Sequence, residues 1–125
     1  MILRQNYLGL QLNNKKFKKM KHTNPLEVKS RLDSGATLNI VDVREANEFE
    51  EDNIGALLLP LSEIKNFETE AIDDLKDQEI ILHCRGGQRS MQAAQLLEAA
   101  GFTNVINLDG GIMEWRKELG NFNLK

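Results

Sequence analysis

The chain contains little cysteine, histidine and proline. Its 125 residues include one cysteine, Cys84, with two histidines and two prolines. A single cysteine cannot form an internal disulfide, which excludes the disulfide-stabilised class and fits a reducing compartment, so we expect a cytoplasmic protein. With so few thiol and imidazole ligands, we expect no structural metal site and no other cofactor. Any chemistry at Cys84 must be completed by an outside thiol or nucleophile.

Long apolar runs are also missing, and the charges are unevenly distributed. No run approaches the roughly 20 residues of a membrane-spanning helix, so we expect no membrane association. Residues 1–22 carry six basic side chains and no acidic one, whereas the other residues carry 10 basic and 19 acidic ones. We therefore expect a basic amino-terminal extension of uncertain order over residues 1–22 and one folded domain over residues 23–125. Because that domain is acidic, we expect no nucleic-acid partner.

Short apolar runs alternate with helical segments through this domain. Strands are predicted for the apolar runs at 37–43, 56–60, 80–83 and 105–108. Helices are predicted between them by capping, proline and glycine signals, at 25–34, 44–49, 63–65, 68–75, 90–100 and 112–119. The alternation favours an α/β fold, a three-layer, doubly wound and mainly parallel sheet with helices on both faces. Ligand sites in such folds lie beyond the carboxyl ends of the strands.

Cys84 follows directly after one of these strands. The next six residues include two glycines and two arginines: Arg85, Gly86, Gly87, Gln88, Arg89 and Ser90. A segment with strong helix-forming residues follows them. A strand, a turn and a helix in this order aim consecutive backbone N–H groups and the positive helix end at one point. A thiol at that point should have a depressed pKa, and an anionic group should fit against the glycines.

Several of these residues also have structural interpretations. A lone cysteine is more often a small buried apolar residue, although the polar loop after Cys84 favours a functional one. The two arginines could be ordinary surface charges, but their spacing favours an anion-binding cradle; Arg89 could equally turn inward and brace the loop. Asp42 and Arg44, at the end of a neighbouring strand, are better explained as a supporting ion pair. His83 should point to the face opposite Cys84.

Three ordered motifs resemble the rhodanese-like sulfurtransferases over about residues 23–120. The first is Ile40-Val41-Asp42-Val43-Arg44-Glu45 with Glu48-Phe49, the second is Cys84-Arg85-Gly86-Gly87-Gln88-Arg89-Ser90, and the third is Leu108-Asp109-Gly110-Gly111-Ile112 with Trp115. One segment departs from the family pattern: in Asp52-Asn53-Ile54-Gly55-Ala56 a residue is missing, and Asn53 stands at the usual histidine position. We expect this to alter a turn and the pocket rim, but not the nucleophile.

The resemblance implies a double-displacement reaction. The Cys84 thiolate would take the outer sulfur of thiosulfate, or of a protein persulfide, and would pass it to cyanide or a thiol acceptor. The loop residues 85–90 would bind the donor and stabilise the Cys84 persulfide through their N–H groups. Arg85 and Arg89 would hold the donor's oxygens, with Asp42 and Arg44 in support.

Two other functions remain open. A cysteine-dependent phosphatase also has a Cys–loop–Arg motif, but its signature has five residues between cysteine and arginine, and here four intervene. The shorter loop favours a sulfur atom over a tetrahedral phosphoryl group. A non-catalytic rhodanese-like binding or regulatory module is the second alternative, and the presence of Cys84 in an intact loop argues against it.

Overall fold

The structure is a computed structural model that describes residues 19–125. Its strands are β1 (Lys21–Thr23), β2 (Ile40–Asp42), β3 (Leu57–Leu58), β4 (Glu79–His83) and β5 (Asn104–Leu108). Its α-helices are α1 (Pro25–Asp33), α2 (Ala46–Glu51), α3 (Leu61–Lys65), α4 (Gln88–Ala99) and α5 (Gly111–Leu119), with a 3₁₀ helix at Glu70–Leu75 between α3 and β4. The predicted alternation of strands and helices is therefore confirmed.

The strands form one parallel sheet in the order β1-β5-β4-β2-β3. β4 is the central strand, and its last residue, His83, lies beside Asp42 at the end of β2. Cys84 therefore follows the carboxyl end of the central strand, where ligand sites of doubly wound sheets lie. No helix within residues 19–125 is long and apolar enough to cross a bilayer.

A separate apolar core covers each face of the sheet. Alternate residues of β4 take part in each: Ile80 and Leu82 pack with α3, α4 and the 3₁₀ helix, whereas Ile81 packs with α1 and α5. The second core includes Val28, Ile112 and the fully buried Trp115. Helices thus lie on both faces of a parallel sheet, as the fold class predicted from the sequence requires.

Local signals explain where the helices begin and end. The Asn24 side chain accepts a hydrogen bond from the Glu27 N–H at 2.9 Å, which caps α1, and Pro25 occupies its first turn. α4 begins at Gln88, two residues before the predicted start, because Gly87 has a φ of 106° and reverses the chain there. The first turn of α4 is consequently part of the loop around Cys84.

The sequence did not predict β1. It pairs in parallel with β5 and forms one edge of the sheet, so Lys21 and His22 belong to the fold although both lie within the predicted extension. A three-residue strand with a lysine, a histidine and a threonine has no apolar pattern to reveal it. The prediction of a basic extension otherwise falls on residues 1–18, outside the described residues, and stays a prediction.

The segment that departs from the family pattern forms a turn held by Asn53. The Asn53 side chain donates to the Phe49 carbonyl at 3.1 Å and accepts the Gly55 N–H at 2.9 Å. Gly55 (φ 89°) has no room for a side chain, because a Cβ there would lie 2.7 Å from the Leu124 carbonyl oxygen. The turn thus packs against the carboxyl-terminal tail, and its expected effect on the pocket rim stays a prediction.

Candidate active site

The Cys84 sulfur lies at the floor of the loop formed by residues 84–90. It accepts a hydrogen bond from the Gly87 N–H at 3.0 Å, and the Ser90 hydroxyl oxygen lies 3.5 Å away. The residue is only 1% exposed and belongs to the apolar core of the α3–α4 face. A reaction partner must therefore bring a small, protruding atom to the sulfur through the loop opening.

Burial and hydrogen bonding act on this thiol in opposite directions. Burial raises the pKa of Cys84 and is the largest single influence. The N–H groups of Ser90, Gly87 and Arg89, and the Ser90 hydroxyl whenever its hydrogen points at the sulfur, together outweigh it, so the pKa lies below its ordinary value. The depressed pKa that the sequence predicts is thus supported, although the thiol is more buried than a polar loop suggests.

The amino end of α5 holds the other side of the loop by its backbone. The Ile112 N–H donates to the Cys84 carbonyl at 2.9 Å, and the Met113 N–H donates to the Arg85 carbonyl at 3.1 Å. Gly111 has a φ of 56°, and a Cβ there would lie 2.3 Å from the Cys84 carbonyl oxygen. Only glycine lets the two backbones approach this closely. The third sequence motif therefore serves to dock α5 against the loop.

The loop's two arginines have different surroundings. Arg89 makes a bidentate ion pair with Glu48 of α2, with N–O distances of 2.7 and 2.8 Å. This pair lowers the pKa of Glu48 to about 2, chiefly through the hydrogen bonds from Arg89. Arg85 and Gln88, by contrast, are exposed. Arg89 thus braces the loop, one of the two roles considered for it, and Arg85 is left as the loop arginine that faces solvent.

Asp42 and Arg44 form a buried ion pair away from the sulfur. The Asp42 carboxylate accepts from Arg44 Nη2 at 2.8 Å and from Arg44 Nε at 3.1 Å. Arg44 also donates to the Asp52 carbonyl, just beyond the carboxyl end of α2, at 2.7 Å. The pair thereby anchors the end of α2, the helix that carries Glu48, and Glu48 in turn pairs with Arg89. This geometry agrees with the supporting role predicted for both residues.

His83 lies on the sheet face opposite Cys84, beside Asp42. It is fully buried, its Nδ1 is 3.1 Å from the Cys84 carbonyl oxygen, and its Nε2 is 3.5 Å from an Asp42 oxygen. Burial lowers the pKa of His83, and the Asp42 carboxylate opposes this. Because its side chain points away from the sulfur, His83 is not placed to act as its general base.

Two site residues were not recognised as such from the sequence. Glu48 was part of a motif without an assigned role, and Asn107 was placed only within a strand. The signal for Asn107 is a buried polar residue in an otherwise apolar run, Val105-Ile106-Asn107-Leu108, on the strand beside β4. Its side chain accepts a hydrogen bond from the Ser90 hydroxyl.

A large cavity lies outside the site, and no metal-binding cluster is found in the described residues. A cavity of about 610 Å³ lies at the amino end of β2 and is lined by Leu38, Ile40, Leu57, Phe122 and Leu124 among others, and no predicted site residue lines it. Within residues 19–125, no three His, Cys, Asp or Glu side chains group closely enough to hold a metal ion.

The fold and the loop together define a class: a parallel α/β domain with one cysteine in a glycine-rich loop at the end of its central strand. The sequence profile of the Rhodanese-like domain matches residues 24–118. The chain belongs to the rhodanese-like family, and the resemblance noted from its motifs is confirmed.

Its relatives differ in length. The chain is 33% identical to the putative sulfurtransferase YtwF of Bacillus subtilis over 79% of its own length and 93% of that protein. It is 38% identical to the probable adenylyltransferase/sulfurtransferase MoeZ of Mycobacterium tuberculosis, but there 76% of the chain spans only 24% of the relative. The human single-domain sulfurtransferase TSTD1 superposes with a TM-score of 0.67 at 28% identity, covering 80% of this chain and 98% of that one.

Proposed function

We propose that this protein is a sulfurtransferase that carries sulfane sulfur as a persulfide on Cys84. The observation that carries the proposal is the Gly87 N–H, which points at the sulfur at 3.0 Å from a loop with further inward N–H groups. Such donors stabilise both a thiolate and the anionic persulfide that replaces it. Relatives named sulfurtransferases, YtwF and TSTD1 among them, support the same assignment.

The reaction has two displacements at sulfur. The Cys84 thiolate attacks the outer sulfur of thiosulfate, forming an Sγ–S bond while the bond to the sulfonate group breaks and sulfite leaves. A persulfide donor would react in the same way and release its thiolate. Cyanide or a thiol acceptor then attacks the outer sulfur of the Cys84 persulfide, which yields thiocyanate or a new persulfide and restores the thiolate. No proton or electron acceptor outside these reactants is needed.

Burial of the sulfur favours this chemistry over phosphoryl transfer. Cys84 is 1% exposed, so only an atom that projects from its donor can reach the sulfur. The outer sulfur of thiosulfate projects in this way, whereas a phosphoryl group must fit its three oxygens around the attacking atom. Arg89, the residue that would hold those oxygens in a phosphatase, is already occupied by Glu48.

The direct test is the mass of the protein after exposure to a donor. Incubation with thiosulfate, or with a small-molecule persulfide, should add one sulfur atom that cyanide removes as thiocyanate. The Cys84→Ala variant should show neither the adduct nor the product. A wild-type protein that gains no sulfur from any donor would leave the binding module as the better account. Hydrolysis of an aryl phosphate that is lost in Cys84→Ser would favour the phosphatase.

A further inference from the structure

A chain of polar contacts connects Cys84 to the protein surface. Asp109, in the turn after β5, accepts a hydrogen bond from Asn107 Nδ2 at 3.0 Å, and its same oxygen is 2.6 Å from Nδ1 of His22 in β1. Asn107 Oδ1 accepts from the Ser90 hydroxyl, which faces the Cys84 sulfur. Asn107 is 2% exposed and Ser90 is fully buried, so water does not compete for these contacts. Sulfur transfer as proposed above makes no use of this chain.

The Ser90 hydroxyl has more acceptors than it can serve. Three acceptors surround its oxygen: Asn107 Oδ1, the Gly87 carbonyl at 3.1 Å and the Cys84 sulfur at 3.5 Å. A hydroxyl carries one hydrogen and donates it to one acceptor at a time. Whenever that hydrogen points to Asn107 or Gly87, an oxygen lone pair faces the sulfur. A lone pair can accept the S–H of a thiol, but it disfavours a thiolate.

Asp109 determines which end of the Asn107 amide faces Ser90. An ionised carboxylate only accepts hydrogen bonds, so the amide NH₂ must point toward Asp109. Turning the amide over would bring its oxygen against the Asp109 carboxylate and leave both without a donor. Asn107 therefore presents its carbonyl oxygen, an acceptor, to the Ser90 hydroxyl.

We propose that Asn107 is a positioning residue for Cys84: oriented by Asp109, its side-chain carbonyl holds the Ser90 hydroxyl hydrogen away from the sulfur. While the hydrogen is held there, only the backbone N–H groups of the loop donate to the thiolate. Asn107 thereby limits how far the resting thiol ionises. The proposal rests on Cys84 being the reactive group, but it concerns the thiol before any donor has bound, so it can fail separately from sulfur transfer.

Several other charged or titratable side chains lie near the thiol, and any test must leave them unchanged. These are Arg89 with its partner Glu48, the exposed Arg85, the His22–Asp109 pair, and His83 on the opposite face with Asp42 and Arg44. Replacing Asn107 or Ser90 by an uncharged residue alters none of them. For this reason Asp109 variants are unsuitable, because loss of that negative charge would itself lower the pKa of the thiol.

The experiment is the pH profile of Cys84 alkylation by iodoacetamide in the full chain. Asn107→Ala and Asn107→Leu both remove the acceptor, and the second keeps the space filled. Each should free the Ser90 hydroxyl to donate to the thiolate and so move the midpoint to lower pH. One pH unit below the wild-type midpoint, alkylation should become about fivefold faster, as expected for one added hydrogen bond to an anion. Adding Ser90→Ala to either variant should reverse the gain.

Controls separate this role from simple packing. Asn104→Ala removes an asparagine from the other end of the same strand, where its side chain contacts Lys21, and it should leave the profile unchanged. An unchanged or higher midpoint in a folded Asn107 variant overturns the proposal, as does a gain that Ser90→Ala fails to reverse. Ser90→Ala in the otherwise wild-type chain is a test that needs no Asn107 variant. Its midpoint should not rise, and a rise of a pH unit would mean that Ser90 already donates to the sulfur.

Discussion

The two halves of the Cys84 loop are built differently. In the second half, Gly87 and Ser90 are buried and Arg89 is fixed to Glu48. In the first half, Arg85 and Gly86 are exposed. A Cβ on Gly86 would meet no atom within 4 Å, whereas one on Gly87 would lie 3.3 Å from the Gly110 nitrogen, with φ at 106°.

This difference indicates that the second half of the loop holds the sulfur, whereas the first half admits a ligand. The second half is fixed by helix α4, by Glu48 and by the chain from Asn107, so its N–H groups stay aimed at the sulfur. The side chains of the first half point into open space, which suits residues that meet a donor or acceptor. Substitutions confined to one half of the loop, or to the contacts that support it, should therefore differ in their effects on stability and on turnover.

The largest effect is expected from Gly111→Ala, at the support shared by both halves. The new Cβ would overlap the carbonyl oxygens of Cys84 and Arg85, at 2.3 and 2.5 Å. Because neither backbone can move without losing hydrogen bonds, we expect a loss of about 3 kcal/mol in unfolding free energy and a displaced loop.

Gly101→Ala is the control for this change. Its φ is 103°, but a Cβ there meets no atom within 4 Å, so only the strain of the left-handed backbone applies. That strain should cost about 1 kcal/mol. Urea unfolding of both variants measures the difference, and equal losses would mean that the contact between α5 and the loop is not tight.

Gly86→Ala should impair the reaction and leave stability unchanged. The new methyl group would project from the exposed first half of the loop and would meet no protein atom within 4 Å. We expect unfolding free energy to stay within about 0.5 kcal/mol of the wild type. The kcat/KM for thiosulfate should fall about tenfold, because the donor would be held off its line of attack. Normal turnover by a stable Gly86→Ala protein would refute the view that donors enter over the first half.

The two arginines should separate binding from stability. Arg89→Ala removes a bidentate, half-buried ion pair and should lower the unfolding free energy by about 1 kcal/mol. Arg85→Ala should leave stability unchanged and raise KM for anionic thiosulfate about fivefold through the loss of one nearby charge. A neutral sulfur donor should not distinguish Arg85→Ala from the wild type. If both variants changed stability and KM alike, the division of the loop would be wrong.

The sequence predicted the fold and the position of Cys84 at the end of a strand because both depend on local patterns. Apolar runs and capping residues are read within a few positions, and a cysteine followed by two glycines after a strand defines its own loop. What remained undetermined depends on contacts between distant segments. Arg89 pairs with Glu48, 41 residues away, and Asn107 meets Ser90, 17 residues away.

β1 illustrates the same limit. A strand of Lys21, His22 and Thr23 has no apolar residue, and it is stable only because β5 offers a free edge. Nothing in the three residues themselves predicts that edge. Likewise, the choice between two roles for Arg89 required the position of α2, which the buried Asp42–Arg44 pair fixes from a different strand end.

The smallest effect is expected in the pH dependence of the unfolding free energy, which tests the ion pair that fixes the second half of the loop. The Arg89 ion pair lowers the pKa of Glu48 from 4.5 to about 2, so the folded state binds this proton less readily than the unfolded state. The stabilisation is therefore fully present above pH 4.5 and is lost as the pH falls toward 2. Glu48→Gln should be less stable than the wild type at pH 6, and the two should converge in this acidic range. Urea unfolding at a series of pH values measures the difference, and a constant gap down to pH 2 would show that the Glu48 charge contributes nothing to bracing the loop.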